Sequence, residues 1–198
     1  MIHPSTTVEF ISKEKGYGVV ATEFIPRGTI TWVQDKLDRE FTLNEAINLG
    51  PDYASIIETY SFRNQQGNYV LCWDIGRYVN HSFHSNCLTT PYNFEIAIRD
   101  IEKGEELTDD YGYLNISEPF EAIDEGSDRK VVYPDDLIRM FPEWDHKLES
   151  SFPFIAKVDQ PLHKFLPTDI QLIIQRVLKG EEKLESIINC YYNGEETY

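Results

Sequence analysis

The feature that most constrains the fold is a change of pattern near residue 115. Before it, the chain is a series of short segments that are rich in β-branched or aromatic residues and separated by glycine, proline and asparagine, which predicts strands. The predicted strands are Thr7–Ser12, Gly18–Glu23, Thr29–Val33, Asn68–Asp74 and Phe94–Arg99. No period of about 20–50 residues repeats, which excludes solenoids and propellers.

One helix is predicted among these strands. Thr42 followed by Glu45 is a capping-box pattern, and it precedes the apolar spacing of Leu43–Leu49. Gly50-Pro51 is expected to end this helix.

Beyond residue 115 the pattern becomes helical. Residues 118–134 are acidic and loop-like, and a short helix is then predicted over Asp135–Met140, ending near Pro142. Thr168 or Asp169 can cap a second helix, which Gly180 ends. The apolar face of that helix consists of Ile170, Ile173, Ile174, Val177 and Leu178, and the same spacing in Leu184, Ile187, Ile188 and Tyr191 predicts a third helix. The predicted fold class is therefore β-rich α+β, with residues 1–115 as the core and 116–198 as a loop and helical extension.

Composition limits the class of protein and its partners. A chain of 198 residues, 41% of them hydrophobic, suits one compact domain with a modest extension and excludes disorder as the main state. The 18 basic and 34 acidic residues give a net charge of −16 that is spread over both parts of the chain. This charge disfavours direct binding of nucleic acid, and it suits either a Lys-rich protein partner or simply a soluble surface.

The cysteines and the apolar runs indicate the compartment. Cys72, Cys87 and Cys190 are too few and too scattered for a disulfide framework or a four-thiolate zinc site, so a reducing, intracellular setting is expected. No apolar run reaches the roughly 18 residues that span a bilayer, and residues 1–4 lack the features of a signal peptide. The sequence therefore predicts a cytoplasmic protein without membrane association, although a nuclear or secreted location stays open.

Gly16-Tyr17-Gly18 is the first candidate motif. Two glycines around an aromatic residue allow backbone to approach a ligand closely, but the same tripeptide is also a common β-turn. A dinucleotide fingerprint is excluded, because the residues that follow, Val19-Val20-Ala21, have the character of a strand.

The second and third motifs are Arg77–Cys87 and Gly104–Tyr113. The second motif contains Asn80, His81 and other polar side chains, but no further ligand stands at a spacing suited to zinc, so hydrogen bonding within a loop or to a polar ligand is favoured. The third motif is by itself an acidic turn that leads into a strand.

In their order and spacing, these three motifs together resemble the SET-domain protein-lysine methyltransferases. The resemblance spans residues 15–113, and Thr59-Tyr60-Ser61-Phe62 is also similar to that family. The helical stretch that follows resembles small stand-alone bacterial SET proteins. The resemblance implies a fold of small twisted sheets with a pseudoknot, in which the Asn80 loop meets the Tyr111 segment.

The resemblance also implies a cofactor, a substrate and a set of site residues. S-adenosylmethionine would bind one face, and a lysine of a basic protein, histone-like or ribosomal, would enter from the other. The residues that the resemblance assigns are Gly16, Tyr17, Gly18, Arg77, Asn80 and His81 to the cofactor, Tyr111 to methyl transfer, and Tyr60 and Tyr113 to the lysine channel.

Two departures from the family pattern stand out. No cysteine follows Tyr113 before Cys190, so no zinc-binding post-SET cluster and no metal are expected, and the helices within 135–198 are expected to cover the cofactor instead. The tail aromatics that could stack on the adenine, or simply pack in the core, are Trp144, Phe152 and Phe154. Asp109 stands where many relatives carry an aromatic residue two positions before the catalytic tyrosine, and Thr89 occupies the alternative position, which leaves the number of methyl groups added open.

Two functions are compatible with these residues. The first is an S-adenosylmethionine-dependent protein-lysine methyltransferase, and the second is a catalytically inactive SET-like module that binds a basic peptide or protein. The joint presence of Asn80, His81 and Tyr111 favours the enzyme, because a module without catalysis has no chemical need for all three. The acidic surface suits a basic substrate, with Asp109 and Asp110 as candidate charges at the mouth of the channel.

Overall fold

The computed structural model describes residues 1–194, and the β-branched and aromatic runs of the first half form its strands. The strands are β1 (Thr6–Ser12), β2 (Gly16–Ala21), β3 (Ile30–Val33), β4 (Arg39–Phe41), β5 (Ser61–Arg63), β6 (Tyr69–Leu71), β7 (Asn80–His81), β8 (Cys87–Thr89), β9 (Phe94–Ala97), β10 (Glu106–Asp109), β11 (Phe120–Glu121) and β12 (Val131–Val132). The α-helices are α1 (Leu43–Asn48), α2 (Pro51–Tyr60), α3 (Asp136–Ser151) and α4 (Thr168–Leu178). Short 3₁₀ turns occupy Ile75–Tyr78, Tyr111–Tyr113, Phe152–Lys157, His163–Phe165 and Ile187–Cys190.

The strands form several small sheets. One sheet has the order β1-β2-β10-β7, a second has β3-β9-β8 and a third has β4-β6-β5, while β11 and β12 pair with each other. Short strands in separate sheets cannot build one large layer, so the core lies between the sheets and the helices of the extension. The prediction of a β-rich fold of small sheets with a helical extension is confirmed.

The pseudoknot region is built around β10. This strand pairs antiparallel with β2 on one side and parallel with β7 on the other, where Thr108 faces Asn80 and Asp109 faces His81. The loop after β7 then returns to the same strand, because Asn86 accepts a hydrogen bond from Thr108 N at 2.9 Å and donates to Glu106 O at 2.8 Å. The Asn80 loop and the segment that leads to Tyr111 therefore meet, as the family resemblance implies.

The helix predicted to end near Pro142 continues to Ser151. Pro142 is exposed, and the carbonyl of Ile138 that loses its N–H partner lies on the same solvent side of α3, where water can bind it. Leu137, Trp144 and Leu148 are buried on the other side and hold the helix against the core. Tertiary packing thus outweighs the local effect of the proline.

Two further predictions need correction, and one is confirmed. Gly50-Pro51 ends α1 as predicted, and Pro51 also begins α2, since proline is well suited to the first position of a helix. The pattern Leu184–Tyr191 yields only the 3₁₀ turn Ile187–Cys190, because Asp145 of α3 binds Ser186 Oγ at 2.6 Å and Ile187 N at 2.7 Å. Residues 118–134 contain the short β11–β12 pair and are not wholly loop.

The other predicted helices are confirmed. Thr42 and Glu45 form the capping box of α1. The second predicted helix is α4, which is followed by Gly180 at a positive φ of 72°. The prediction that Thr168 or Asp169 caps it is wrong, because Pro167 occupies the N-cap position and no side chain caps the helix.

The extension shares one hydrophobic core with the sheets. Trp144 and Leu148 of α3 lie in the same buried cluster as Leu88 and Phe94 of the second sheet and Tyr113 of the turn after β10. The extension therefore positions the Tyr111–Tyr113 turn directly. Among residues 1–194, no helix combines the length and the apolar character needed to cross a membrane.

Candidate active site

A cavity of about 330 Å³ opens between the third sheet and the segment that follows β10. Tyr60 at the end of α2 and Tyr111 after β10 line it, together with Phe120 of β11. Two acidic side chains, Glu95 of β9 and Asp109 of β10, lie in the same wall. The cavity thus combines an aromatic lining with buried carboxyl groups.

Tyr111 is fixed at both its backbone and its hydroxyl. Its hydroxyl donates to the carbonyl of Val79 at 2.7 Å, and its backbone N–H donates to Nδ1 of His81 at 3.1 Å. Burial, followed by the nearby Asp109 carboxyl, raises the pKa of Tyr111 above its ordinary value, so the hydroxyl keeps its proton. Tyr111 therefore presents a neutral, oriented hydroxyl at the cavity wall.

His81 lies behind Tyr111 and is held neutral. Burial lowers the pKa of His81 to about 4, which agrees with its Nδ1 acting as a hydrogen-bond acceptor. The rings of Phe83 and Phe120 pack edge-on against the imidazole, with centroids at 4.5 and 5.6 Å. Nε2 is buried and has no hydrogen-bond partner in the part of the chain that the structure describes. A buried polar atom without a partner is costly, and a bound ligand would remove that cost.

Gly18 allows three segments to come together. A Cβ at this position would lie 2.4 Å from Glu106 Oε1 and 2.9 Å from Asn80 Nδ2, both closer than a real Cβ can approach. Asn80 Nδ2 donates to the Tyr17 carbonyl at 3.0 Å and to Glu106 Oε1 at 2.7 Å. A side chain at position 18 would therefore displace Glu106 and Asn80 from the packing of β2 against β7 and β10, whatever the role of the glycine toward a ligand.

Charged side chains surround the junction, the place where β2, β7 and β10 meet at Gly18, Asn80 and Glu106. Lys15 Nζ lies 3.1 Å from Glu106 and 3.6 Å from Glu125, which belongs to the loop between β11 and β12. Glu125 also accepts hydrogen bonds from Ser82 Oγ at 2.7 Å and from Phe83 N at 3.2 Å. The loop between β11 and β12 therefore closes over the Asn80–His81 segment.

These residues fit S-adenosylmethionine. The amino-acid part of that molecule carries an ammonium and a carboxylate, and Glu106, Glu125 and Lys15 are groups that pair with such charges. The unpartnered Nε2–H of His81 and the rings beside it suit a nucleobase, which can both accept a hydrogen bond and stack. Gly16, Tyr17, Gly18, Asn80 and His81 all lie at this junction.

The remaining predicted site residues, Arg77, Tyr60 and Tyr113, lie outside the junction. Arg77 is on the cavity side, exposed, with its guanidinium over the Tyr78 ring at 5.4 Å. Tyr60 lines the cavity, whereas Tyr113 does not: only 1% of its surface is exposed, and its hydroxyl contacts Asp109 Oδ1 at 2.7 Å. Tyr113 therefore contacts the cavity lining through its hydrogen bond to Asp109.

The tail aromatics do not cover this junction. Trp144 and Phe152 are core residues, and Phe154 packs between Arg27 and Lys157. The expectation that the helices within 135–198 cover the cofactor stays a prediction, and the segment that packs against the Asn80–Phe83 region is the loop between β11 and β12. In residues 1–194 no group of three or more His, Cys, Asp or Glu side chains could hold a metal ion.

The acidic residues beside Tyr111 are not at a channel mouth. Asp109 and Asp110 are 4% and 2% exposed, and Asp110 forms an ion pair with Arg129, so neither can attract a distant substrate. Glu95 was not predicted as a site residue. Its signal is a single acidic residue between the apolar residues Phe94 and Ile96 of a strand, but that pattern equally describes a solvent-facing position.

Comparisons with known proteins identify the domain. Residues 16–112 match the family model of the SET domain. The histone-lysine N-methyltransferase ASHH2 of Arabidopsis thaliana is 29% identical over 128 residues, which cover 54% of this chain and 7% of that protein. The histone-lysine N-methyltransferase SETMAR of Homo sapiens is 30% identical over 153 residues, or 63% of this chain and 21% of that protein.

A third relative is the N-lysine methyltransferase KMT5A of Xenopus tropicalis, with 32% identity over 120 residues, covering 50% of this chain and 33% of that protein. The chain thus spans less than half the length of each of these curated relatives. The similarity to stand-alone bacterial proteins stays a prediction. The matched residues contain β2, β7, β10 and Tyr111, which are the parts that build the junction and the cavity wall. Residues 16–112 of this chain are a SET domain.

Proposed function

We propose that this protein transfers a methyl group from S-adenosylmethionine to the ε-amine of a lysine in a protein. The observation that carries the proposal is the position of Tyr111, which contacts His81 on one side and lines the cavity with Tyr60 on the other. The junction at His81 and the cavity are two sites that meet at the oriented Tyr111 hydroxyl, which suits a reaction between two bound molecules. The names of the similar proteins, all lysine methyltransferases, support the same reaction.

The chemistry of the cavity supports this proposal. Bound S-adenosylmethionine would supply an electrophilic methyl group, and an attacking lysine must be neutral. Neutralising a free lysine with a pKa near 10.4 costs about 4–5 kcal/mol at pH 7. The aromatic lining by Tyr60, Tyr111 and Phe120 disfavours the charged amine and recovers part of that cost, while the Tyr111 hydroxyl and the Val79 carbonyl can orient it.

A basic protein segment is the proposed substrate. Glu58 and Glu118 line the cavity and are exposed, and the whole chain carries a net charge of −16. Such a field accelerates the approach of a basic peptide at low salt. Two of the similar proteins are named for histone lysines, which are lysines in basic segments. The proposal includes an intracellular location, expected from three free thiols, which fractionation of the cells that make the protein would test.

A second candidate function is a SET module that binds basic proteins without catalysis. It is favoured by one observation: the Asn80 amide and the Lys15 ammonium are already paired with protein groups at the junction. Calorimetry with S-adenosylmethionine separates the two functions, because the enzyme must bind this molecule and the catalytically inactive module need not.

Tyr111→Phe tests the catalytic function. It removes one hydroxyl from a site that otherwise keeps its shape, so methyl transfer to a Lys-rich peptide should fall by about 100-fold or more while cofactor affinity stays within about threefold. Mass spectrometry of the peptide and calorimetry of the cofactor measure the two quantities. Tyr133→Phe is the matched control, because Tyr133 is exposed and lies outside the cavity and the junction. Unchanged turnover in the Tyr111 variant would remove Tyr111 from the reaction.

A further inference from the structure

Two carboxyl groups, Glu95 and Asp109, line the cavity without a cationic partner. They lie on neighbouring parts of two sheets, β9 and β10, and Asp109 is only 4% exposed. Within residues 1–194, neither forms an ion pair with a lysine or an arginine. The hydroxyl of Tyr113 donates to Asp109 Oδ1 at 2.7 Å, and the Glu95 and Asp109 carboxyl groups also share a hydrogen bond with each other.

Such a pair is costly without a bound cation. Removing a carboxylate from water is unfavourable, and two adjacent carboxylates also repel each other. Burial, followed by the neighbouring Asp109 carboxyl, raises the pKa of Glu95, and burial raises that of Asp109. Each carboxyl group of the pair therefore binds a proton more readily than it would in water. The other titratable groups that face the pair are Cys72, Cys87, Asp110, Tyr111, Tyr113 and the N-terminal ammonium of Met1, and the guanidinium groups of Arg63 and Arg77 belong to the lining of the same cavity.

A second observation points to a ligand on the same wall. Trp32 of β3 also lines the cavity, is 4% exposed, and pairs with Glu95 across the sheet. Its indole N–H is buried beside Gly76, another lining residue, and has no hydrogen-bond partner in the described part of the chain. The indole N–H needs an acceptor, which a neutral amine supplies, and two carboxyl groups without a cationic partner suit an amine that enters as its cation.

We propose that Glu95 and Asp109 bind the ammonium of the substrate lysine and accept its proton before methyl transfer. This inference rests on the proposed function. In the first step the ammonium gives one proton to a carboxylate, leaving a neutral amine and a carboxylic acid. In the second, the nitrogen lone pair forms the N–C bond as the C–S bond breaks, so the sulfonium becomes a thioether and the methylated nitrogen carries the positive charge. The carboxylic acid then returns its proton to water.

The test uses the full chain and the double variant Glu95→Gln and Asp109→Asn, whose amides keep the shape and the Tyr113 contact but accept protons poorly. We expect kcat near pH 7 to fall by about 100-fold, with the affinity for S-adenosylmethionine within about threefold of the parent. The loss should shrink as the pH rises toward about 9.5, because the solution then supplies neutral lysine. The single variant Glu95→Asp, which keeps a carboxyl, should recover part of the rate. Glu149→Gln removes one exposed charge from α3 and should match the parent.

A second readout does not depend on catalysis. Carbon NMR of the two carboxyl groups, with n-butylammonium as the probe and n-butanol as its neutral counterpart, should show a shift with the cation that is absent with the alcohol. Binding of the cation in a parent that transfers no methyl group would support the carboxyl site and reject the proposed function. Transfer with equal rates and pH profiles in the parent and the double variant would overturn the inference and leave the proposed function intact. A Glu95→Gln variant that is folded by circular dichroism and binds n-butylammonium as the parent does would also overturn it.

Discussion

Replacement of Arg129 by methionine tests how the loop between β11 and β12 is tied to the active-site segment. Arg129 forms an ion pair with Asp110 and another with Asp136 at 2.6 Å, and its guanidinium lies over the Phe83 ring at 4.4 Å. The side chains of Asp110 and Asp136 are 3% and 6% exposed. Methionine replaces the apolar stem of arginine but lacks the guanidinium, so it leaves two buried carboxylates without their cation.

The expected loss follows from this burial. Removing one partner of a buried ion pair costs about 3–5 kcal/mol. Because the Arg129 side chain is 23% exposed, we expect the lower end, about 3 kcal/mol in the free energy of unfolding. In a chain of this size that corresponds to a melting temperature lower by about 6–12 °C. Circular dichroism during thermal and urea unfolding measures both quantities.

The loss should depend on pH. Burial already raises the pKa of Asp110, and without Arg129 the Asp136 carboxylate raises it further above its unfolded value. The folded variant then binds a proton more readily than the unfolded chain, so it regains stability relative to the parent as the pH falls from about 7.5 to about 5.

The matched control is Arg139→Met, which removes an exposed i,i+4 partner of Asp135 on the same helix and should cost about 0.5 kcal/mol or less. A difference of less than about 1 kcal/mol for Arg129→Met near pH 7.5 would refute the reasoning, as would a penalty that stays constant down to about pH 5.

Three further predictions concern single positions. Gly18→Ala should lower both stability and cofactor affinity, because its Cβ would collide with Glu106 Oε1; a variant that melts with the parent and binds cofactor equally would contradict this packing. His81→Gln should remove part of the acid sensitivity of the fold. Because burial lowers the pKa of His81 to about 4, only the unfolded state binds that proton between about pH 6.5 and 4, and the parent loses up to about 3 kcal/mol in this window. Trp144→Ala should lower the free energy of unfolding by about 3–5 kcal/mol, since the indole is 1% exposed and packs edge-on against Tyr113 at 5.3 Å. Urea unfolding of the His81 and Trp144 variants, each compared with the parent, measures the last two changes in the free energy of unfolding.

Much of the site could be predicted from the sequence because its motifs are short and local. Gly16-Tyr17-Gly18, Asn80-His81 and Tyr111 each carry their chemistry within a few residues, and their order along the chain resembles that of one family. The capping box at Thr42 was predictable for the same reason, since both of its partners lie within one turn of helix.

Local pattern was not sufficient where distant residues decide the outcome. The sequence predicts that a helix ends near Pro142, but burial of Trp144 and Leu148 carries α3 to Ser151. The apolar spacing of Leu184–Tyr191 predicts a helix, but Asp145 binds the backbone at Ile187 and a 3₁₀ turn results. In both cases tertiary contacts that no sequence window contains outweigh local propensity.

The sequence by itself determined which chemical groups are available at the active site, because motif residues carry their side chains wherever the fold places them. Only the tertiary structure decided that Asp109 and Asp110 are buried, that Tyr113 is a core residue, and that Glu95 enters the cavity wall. The physical reason is that burial and pairing depend on strands far apart in the chain. β9 and β10 belong to different sheets, and their carboxyl groups come together only when those sheets pack.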